Sequence, residues 1–222
     1  MGSVYLVRHG QASFGAADYD QLSPLGEQQC QRLGAYFAAR GQRFDAVYTG
    51  TLKRHAQSLA AIAKGMGTPL TPRMRPGLDE YLPEALVRAV HTGELPKVGT
   101  PDAVRAHFRL LRQGLLAWMQ GESSPEGMPT YRGFVDGVQL ALRDAQTHHE
   151  GQVLIVSSGG PISVAVGHLL GASSAAIVEL NLRIRNSAVT ELVAGHRGHL
   201  LLSFNTLPHL DDAEGRALQT YA

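Results

Sequence analysis

The sequence has a single cysteine, Cys30, among 222 residues. One thiol excludes an intramolecular disulfide framework and fits a reducing compartment. Charge of neither sign dominates: 20 Lys and Arg stand against 19 Asp and Glu, a net charge of +1. That balance makes no electrostatic case for a nucleic acid or a membrane surface as partner. No apolar run approaches the ~18 residues a bilayer span requires. The first residues, MGSVYLVRHG, reach Arg8 without the apolar stretch of a secretory signal. We therefore expect a cytoplasmic protein with no nucleic-acid and no membrane partner. No metal and no cofactor are expected either, because one cysteine is present and the histidines lack ligand spacing. No feature of the sequence speaks to oligomeric state.

What is present is an ordinary globular composition, 44% hydrophobic and 18% charged. Strand-like and helix-like segments alternate. Ser3 to Val7 is a short β-prone run that stops at Arg8-His9-Gly10. Ser23-Pro24 opens a helix, with Ser as N-cap, Pro in the first position and Glu27 in the first turn. Leu25, Gln29, Leu33 and Phe37 share one face of it, and Gly41 ends it. Phe44 to Tyr48 reads as a second strand, Leu52 to Ala63 as a helix, and Leu70 to Pro72 as a third strand. Between about residues 74 and 129 Pro and Gly recur around an amphipathic helix carrying Val104, Phe108, Leu111, Leu115 and Met119. Tyr131 to His149 is a further helix. Val153 to Val156 is a strand that runs through Ser157-Ser158-Gly159-Gly160 into a helix over Pro161 to Leu170. Ala188 to Val193 and Leu200 to Phe204 form a hairpin turned near Gly195 to Gly198. The tail from His209 is polar and reads as loosely packed.

This order predicts an α/β fold. We expect a three-layer sandwich with a mostly parallel central sheet, helices on both faces and a helical insertion. The whole chain, 1–222, reads as one domain with a helical lid at about 74–129. In such sheets a site lies beyond the carboxyl ends of the strands. Three polar turns fall there: Arg8-His9-Gly10, Thr49 to Arg54, and Ser157 to Gly160.

The chemistry these turns suit is attack on phosphorus. A neutral imidazole can carry a phosphoryl group covalently. A guanidinium beside it can clamp two phosphate oxygens. VYLVRHGQAS, LSPLGEQQ, LKRHAQS, IVSSGGPIS and the late Asn186-Ser187 form an ordered set, and together they resemble the histidine phosphatase superfamily, the phosphoglycerate mutase-like family. The resemblance implies His9 as the nucleophile that accepts the phosphoryl group. It implies Arg8, Arg54, Ser158, Gly159 and Ser13 around the phosphate, and Glu80 as the acid that protonates the leaving oxygen and later activates water. Asp79, adjacent, is the alternative to Glu80.

Three positions depart from the family pattern, one of them Ala12, where a small hydroxyl is expected and Ser13 follows one step later. The strand-end turn near the C-terminus usually carries a second histidine, and this chain has Ser158 there. An asparagine donor after the first His-Gly is replaced at Gly15. Losing one such donor typically costs ~10²–10³ in rate. His55, next to Arg54, is the histidine best placed to substitute; His91, His107, His148, His149 and His168 read as surface residues. The resemblance thus implies a phosphomonoester hydrolase acting on a small-molecule phosphate ester or other phosphorylated substrate, slow or specialised because of Ser158. Alternatives are a catalytically weak phospho-ligand binder of the same fold and a phosphoglycerate mutase-type phosphotransferase. A serine hydrolase, with Ser158 as nucleophile and His199 or His209 as base, is the most distant alternative, because Val156 stands where the nucleophile elbow needs Gly.

Overall fold

The computed structural model describes residues 2–13, 20–93, 101–147, 151–195 and 198–221. Gly15, His148 and His149 lie outside these residues.

The parallel part of the sheet starts with β1 (Ser3–Arg8). Next come α1 (Pro24–Ala39), β2 (Ala46–Thr49), α2 (Lys53–Met66) and the two-residue β3 (Arg73–Met74). α3 (Pro83–Val90), α4 (Pro101–Gln120) and α5 (Tyr131–Thr147) follow. β4 (Gln152–Ser157) leads into α6 (Gly159–Leu169) and then α7 (Ser174–Arg183). The hairpin β5 (Val189–Gly195) and β6 (Gly198–Thr206) and the short α8 (Ala213–Ala217) complete the order. The six strands lie in the order β3-β2-β4-β1-β5-β6. β1, β2, β3 and β4 run parallel, and β5 and β6 add an antiparallel edge beside β1.

The central strands are buried on both faces, as crossover connections require. Alternation along them divides the core in two. Val4, Leu6, Ala46, Tyr48, Val153 and Ile155 point to one side, where α3 to α7 supply Leu86, Leu115, Trp118, Val138 and Ile177. Tyr5, Val7, Val47, Leu154 and Val156 point to the other, against Cys30, Leu33, Phe37, Leu59 and Ile62 of α1 and α2. The insertion helices thus share the core of the first face.

Local signals account for most element ends. Ser23 caps α1 by accepting from Gly26 N at 3.0 Å, and Gly41 beyond it takes φ +64. α2 runs past Ala63 through Gly65-Met66 and stops at Gly67 in the left-handed region. The third strand falls on Arg73–Met74 and not on Leu70 to Pro72, because Tyr48 and Thr49 of β2 pair there. α6 starts at Gly159, before Pro161. Val104 and Phe108 are exposed, so only the later part of the α4 apolar face reaches the core. The sequence pattern does not disclose α3 or α7, because each buries only two apolar side chains, Leu86 and Val87 in α3 and Ile177 and Val178 in α7.

The tail was misread. His209 and Leu210 are buried, and Gln29 Nε2 donates to Leu218 O at 2.6 Å and to Thr220 Oγ1 at 3.0 Å. The polar composition conceals a segment held both by these hydrogen bonds and by Leu210 and Leu218, which pack into the first core.

α1 and α2 meet backbone to backbone. A Cβ at Gly34 would overlap Ile62 O, and one at Gly65 would overlap Gln31 O. Gly34→Ala is therefore expected to lose about 1–3 kcal/mol, the usual penalty of overpacking. Urea unfolding checks this: the midpoint should fall with an unchanged m-value. An unchanged midpoint would show that the helices have room to separate.

Candidate active site

Register brings the first and last catalytic turns together. Arg8 pairs with Ser157 across β1 and β4, and His9 N donates to Ser157 O at 2.9 Å. His9 and Ser158 thereby leave neighbouring strands side by side, 149 residues apart in sequence by their numbers. α2 brings Arg54 and His55 to the same edge from β2.

His9 is 4% exposed. Its Nδ1 lies 2.7 Å from Gly10 O. A carbonyl only accepts, so Nδ1 carries the proton and Nε2 keeps its lone pair. Burial, then the charges of Arg8, Arg54 and His55, hold the ring well below the ordinary histidine range, so it is neutral at neutral pH. Gly10 is required by close approach: a Cβ there would overlap Gly26 O at the start of α1. Gly10 N donates to Ser58 Oγ at 3.0 Å.

Arg8 and Arg54 are anchored by different means. Arg8 Nη1 donates to Ile184 O and Tyr221 O, each at 2.5 Å. Arg54 is buried, and its Nη1 donates to Asp20 Oδ1 at 2.8 Å. Asp20 Oδ2 also accepts from Lys53 N at 2.9 Å, which supplies the side-chain cap that Leu52 cannot give α2. Asp20 was not picked out by sequence, since its partner lies 34 residues away.

Glu80 and Asp79 sit in different places. Glu80 Oε1 accepts from Gly160 N at 3.0 Å. Its carboxyl is raised above its ordinary value by burial, against the opposing pull of Arg54, Arg8 and the Gly160 N–H. The Gly160 amide, in the first turn of α6, is thus taken by this carboxylate. Asp79 accepts from Thr51 N and from Thr51 Oγ1, both at 2.5 Å. Gly159 is buried, and a Cβ there would lie 2.9 Å from Asn181 Oδ1. Ser13 donates its backbone N–H to Gln21 O at 2.7 Å.

Ser158 is fully buried and caps α6 by position, with φ −113 and ψ 172 and no side-chain cap bond. Its hydroxyl meets His55 Nε2 at 2.7 Å. The two candidate bases of the serine-hydrolase alternative are elsewhere: His209 Nε2 is 2.8 Å from Ser187 Oγ, and His199 lies on β6. His168 faces Tyr131 OH at 3.1 Å. His91, at the end of α3, and His107, on α4, are half-buried. Among the described residues, no group of three or more His, Cys, Asp or Glu could hold a metal ion.

Behind His9, a polar network ties in the tail. Ser187 N donates to His9 O at 3.1 Å, and Thr220 Oγ1 donates to Asn186 Oδ1 at 2.8 Å. Ser187 takes φ +57, a rare conformation for a residue with a side chain.

Three histidines are held neutral by burial: His9, His55 at about 3 and His209 at about 3. An unfolded histidine titrates at about 6.5. Below that the unfolded chain binds more protons than the folded one, so stability falls as pH falls. Glu80, raised, acts in the opposite sense above pH 4.5, one group against three. We expect the urea midpoint to drop between pH 7 and pH 5, by roughly 1 kcal/mol per histidine per pH unit once below ~6.5. His209→Gln should make that dependence shallower. A midpoint independent of pH over this window would mean the rings are accessible to protons in the folded state.

Comparison with known proteins joins these observations. The family model described as histidine phosphatase superfamily (branch 1) matches residues 4–207. A chain of Hydrogenobacter thermophilus, named provisionally as phosphoserine phosphatase 2, is 26% identical over 94% of this chain and 98% of its own length. The crystal structure of an Entamoeba histolytica phosphoserine phosphatase mutant in complex with phosphoserine superposes with TM-score 0.62 at 20% identity, covering 95% of this chain and 100% of that one. The Bacillus stearothermophilus protein YhfR superposes with TM-score 0.67 at 18% identity, over 94% and 99% of the two chains. These last two likenesses speak for the fold, and the family model spans both the site and the sheet beneath it: the chain belongs to the histidine phosphatase superfamily, branch 1.

Proposed function

We propose that the protein is a histidine-type phosphatase, hydrolysing small-molecule phosphate monoesters through a phosphohistidine on His9. The observation that carries this reading is the state of His9: a buried neutral ring whose Nδ1 proton is given to Gly10 O, with Arg8 and Arg54 close enough to depress its pKa. That leaves Nε2 as a lone pair facing two fixed cations, which is what in-line attack on a phosphoryl group needs.

The steps balance as follows. His9 Nε2 attacks phosphorus and the ester P–O bond breaks. Glu80, whose raised pKa favours the protonated carboxyl, gives its proton to the leaving oxygen. Its carboxylate then takes a proton from water, which attacks phosphorus as the P–N bond breaks. His9 and Glu80 end as they began. Arg8, Arg54, Ser158, Gly159 and Ser13 are the proposed surroundings of the phosphate, with residues 74–129 as the helical lid of a single domain over it.

Three arginines of that lid argue against a mutase. Arg112 pairs with Glu179, Arg105 with Asp102, and Arg75 Nη2 with Asp144 Oδ2 at 2.5 Å. They are engaged in ion pairs of the fold and not gathered for a second acidic group. The Entamoeba histolytica phosphoserine phosphatase has also been crystallised with 3-phosphoglyceric acid, so small phosphorylated acids are the first compounds to assay.

Rapid quenching with an aryl phosphate should trap an acid-labile phosphoryl label that His9→Ala abolishes. Glu80→Gln should lower kcat by about 10²–10⁴ on an alkyl phosphate and much less on nitrophenyl phosphate, whose leaving group needs no proton. Wild-type turnover no higher than that of His9→Ala would sink the enzyme reading and favour a phospho-ligand binder.

A further inference from the structure

One buried group in the site has no part in the scheme above. His55 is 0% exposed. It reaches the His9 ring at a centroid separation of 5.8 Å, with the two planes 38° apart. Its Nε2 is 2.7 Å from Ser158 Oγ, and its Nδ1 is 3.7 Å from Asp79 Oδ1. Asp79 is itself fixed by two bonds from Thr51. Asp79, His55 and Ser158 thus form a row that crosses from the turn after β2 to the cap of α6 and ends beside the nucleophile.

A position that needed only volume would take an apolar side chain. Placing an imidazole in a dry core with Nδ1 lacking a hydrogen bond is unfavourable. Gly50 shows that the neighbourhood is arranged around this row. A Cβ at Gly50 would overlap both Asp79 Oδ1 and His55 Nδ1. Only glycine lets the carboxylate and the ring come this near.

We infer that His55 is a positioning residue of the phosphate site, acting through Ser158 to hold a hydroxyl donor on the phosphoryl oxygens beside His9. The inference rests on the phosphohistidine reading for its place in the reaction. The inference assigns the ring proton to Nε2, so that it donates to Ser158 Oγ across the 2.7 Å contact and leaves the serine's own proton for an acceptor on the phosphate side. Ser158 carries no nucleophilic role in this arrangement; no bond to it forms or breaks.

The test is vanadate affinity, by calorimetry, together with kcat on an aryl phosphate. His55→Met and His55→Gln fill similar volumes, but only Gln offers a donor near the place of Nε2. Met is expected to weaken vanadate at least tenfold and to lower kcat by about 10²–10³, the usual loss for one such donor. Gln should recover a tenfold share of both. A purely structural ring would make the two variants alike, and thermal unfolding of each checks that both are folded. Vanadate affinity of His55→Met within twofold of wild type overturns the inference, and so does a Gln variant no tighter than Met. Ser158→Ala that abolishes turnover while His9→Ala retains it overturns it in favour of a serine nucleophile. A wild type that binds vanadate without turnover defeats only the phosphatase reading, and the affinities still decide His55. A wild type that fails to bind vanadate overturns both.

Discussion

Everything at the site hangs on the pairing of β1 with β4. Six consecutive residue pairs, from Ser3 with Gln152 to Arg8 with Ser157, fix the register. A slip of one residue would turn Val4 and Leu6 away from one core and Tyr5 and Val7 away from the other. Both faces are buried, so both cores resist such a slip. The register is therefore set by apolar packing, and the polar turns inherit it. His9 and Ser158 are adjacent because the hydrophobic alternation beneath them permits no other alignment.

The same burial sets the protonation states. Water is excluded on the inner side of the strand ends, so His9, His55 and His209 are neutral and Glu80 is pushed toward its protonated form. The uncharged nucleophile and the protonated acid of the proposed reaction would both follow from one cause, loss of solvent, acting oppositely on a base and an acid. The tail contributes by closing the back of the site. Its carbonyl at Tyr221 accepts from Arg8, and its Leu218 carbonyl and Thr220 hydroxyl accept from Gln29. A segment that composition marked as loose is thus part of the wall behind a fixed cation.

What was legible in the sequence followed from pattern length. β1, β4 and α1 carry strong local signals: alternating or continuous apolar runs, Ser23-Pro24 and Gly41. Their positions were readable to within a residue or two. β3 was not, because two residues carry no period and only pairing with Tyr48 and Thr49 defines them. α7 was not, because its buried side is only Ile177 and Val178. Within the site, Arg8 and His9 share one short motif and Arg54 stands in another, LKRHAQS, so the three could be named from local sequence. Asp20 and the Gly50 clearance could not. Each matters only through a partner brought from a distant turn, and no local pattern encodes that. His55 was noted only as the neighbour of Arg54; its bond to Ser158 spans 103 positions.

The charges around the proposed phosphate position are nearly matched before any ligand is considered. Arg54 is held by Asp20, and Glu80 sits on the first amides of α6. A phosphoryl dianion entering here competes with Asp20 for the Arg54 guanidinium and with Glu80 for the helix terminus. Asp20 is 30% exposed in its side chain, so water softens that competition. Glu80 is more enclosed, and a second negative charge beside it favours its protonation further. The arriving phosphate would thereby strengthen the acid that its own leaving group needs. In this arrangement the carboxylates are not merely counter-ions to the arginines: their displacement and protonation couple phosphate binding to the proton transfer that follows.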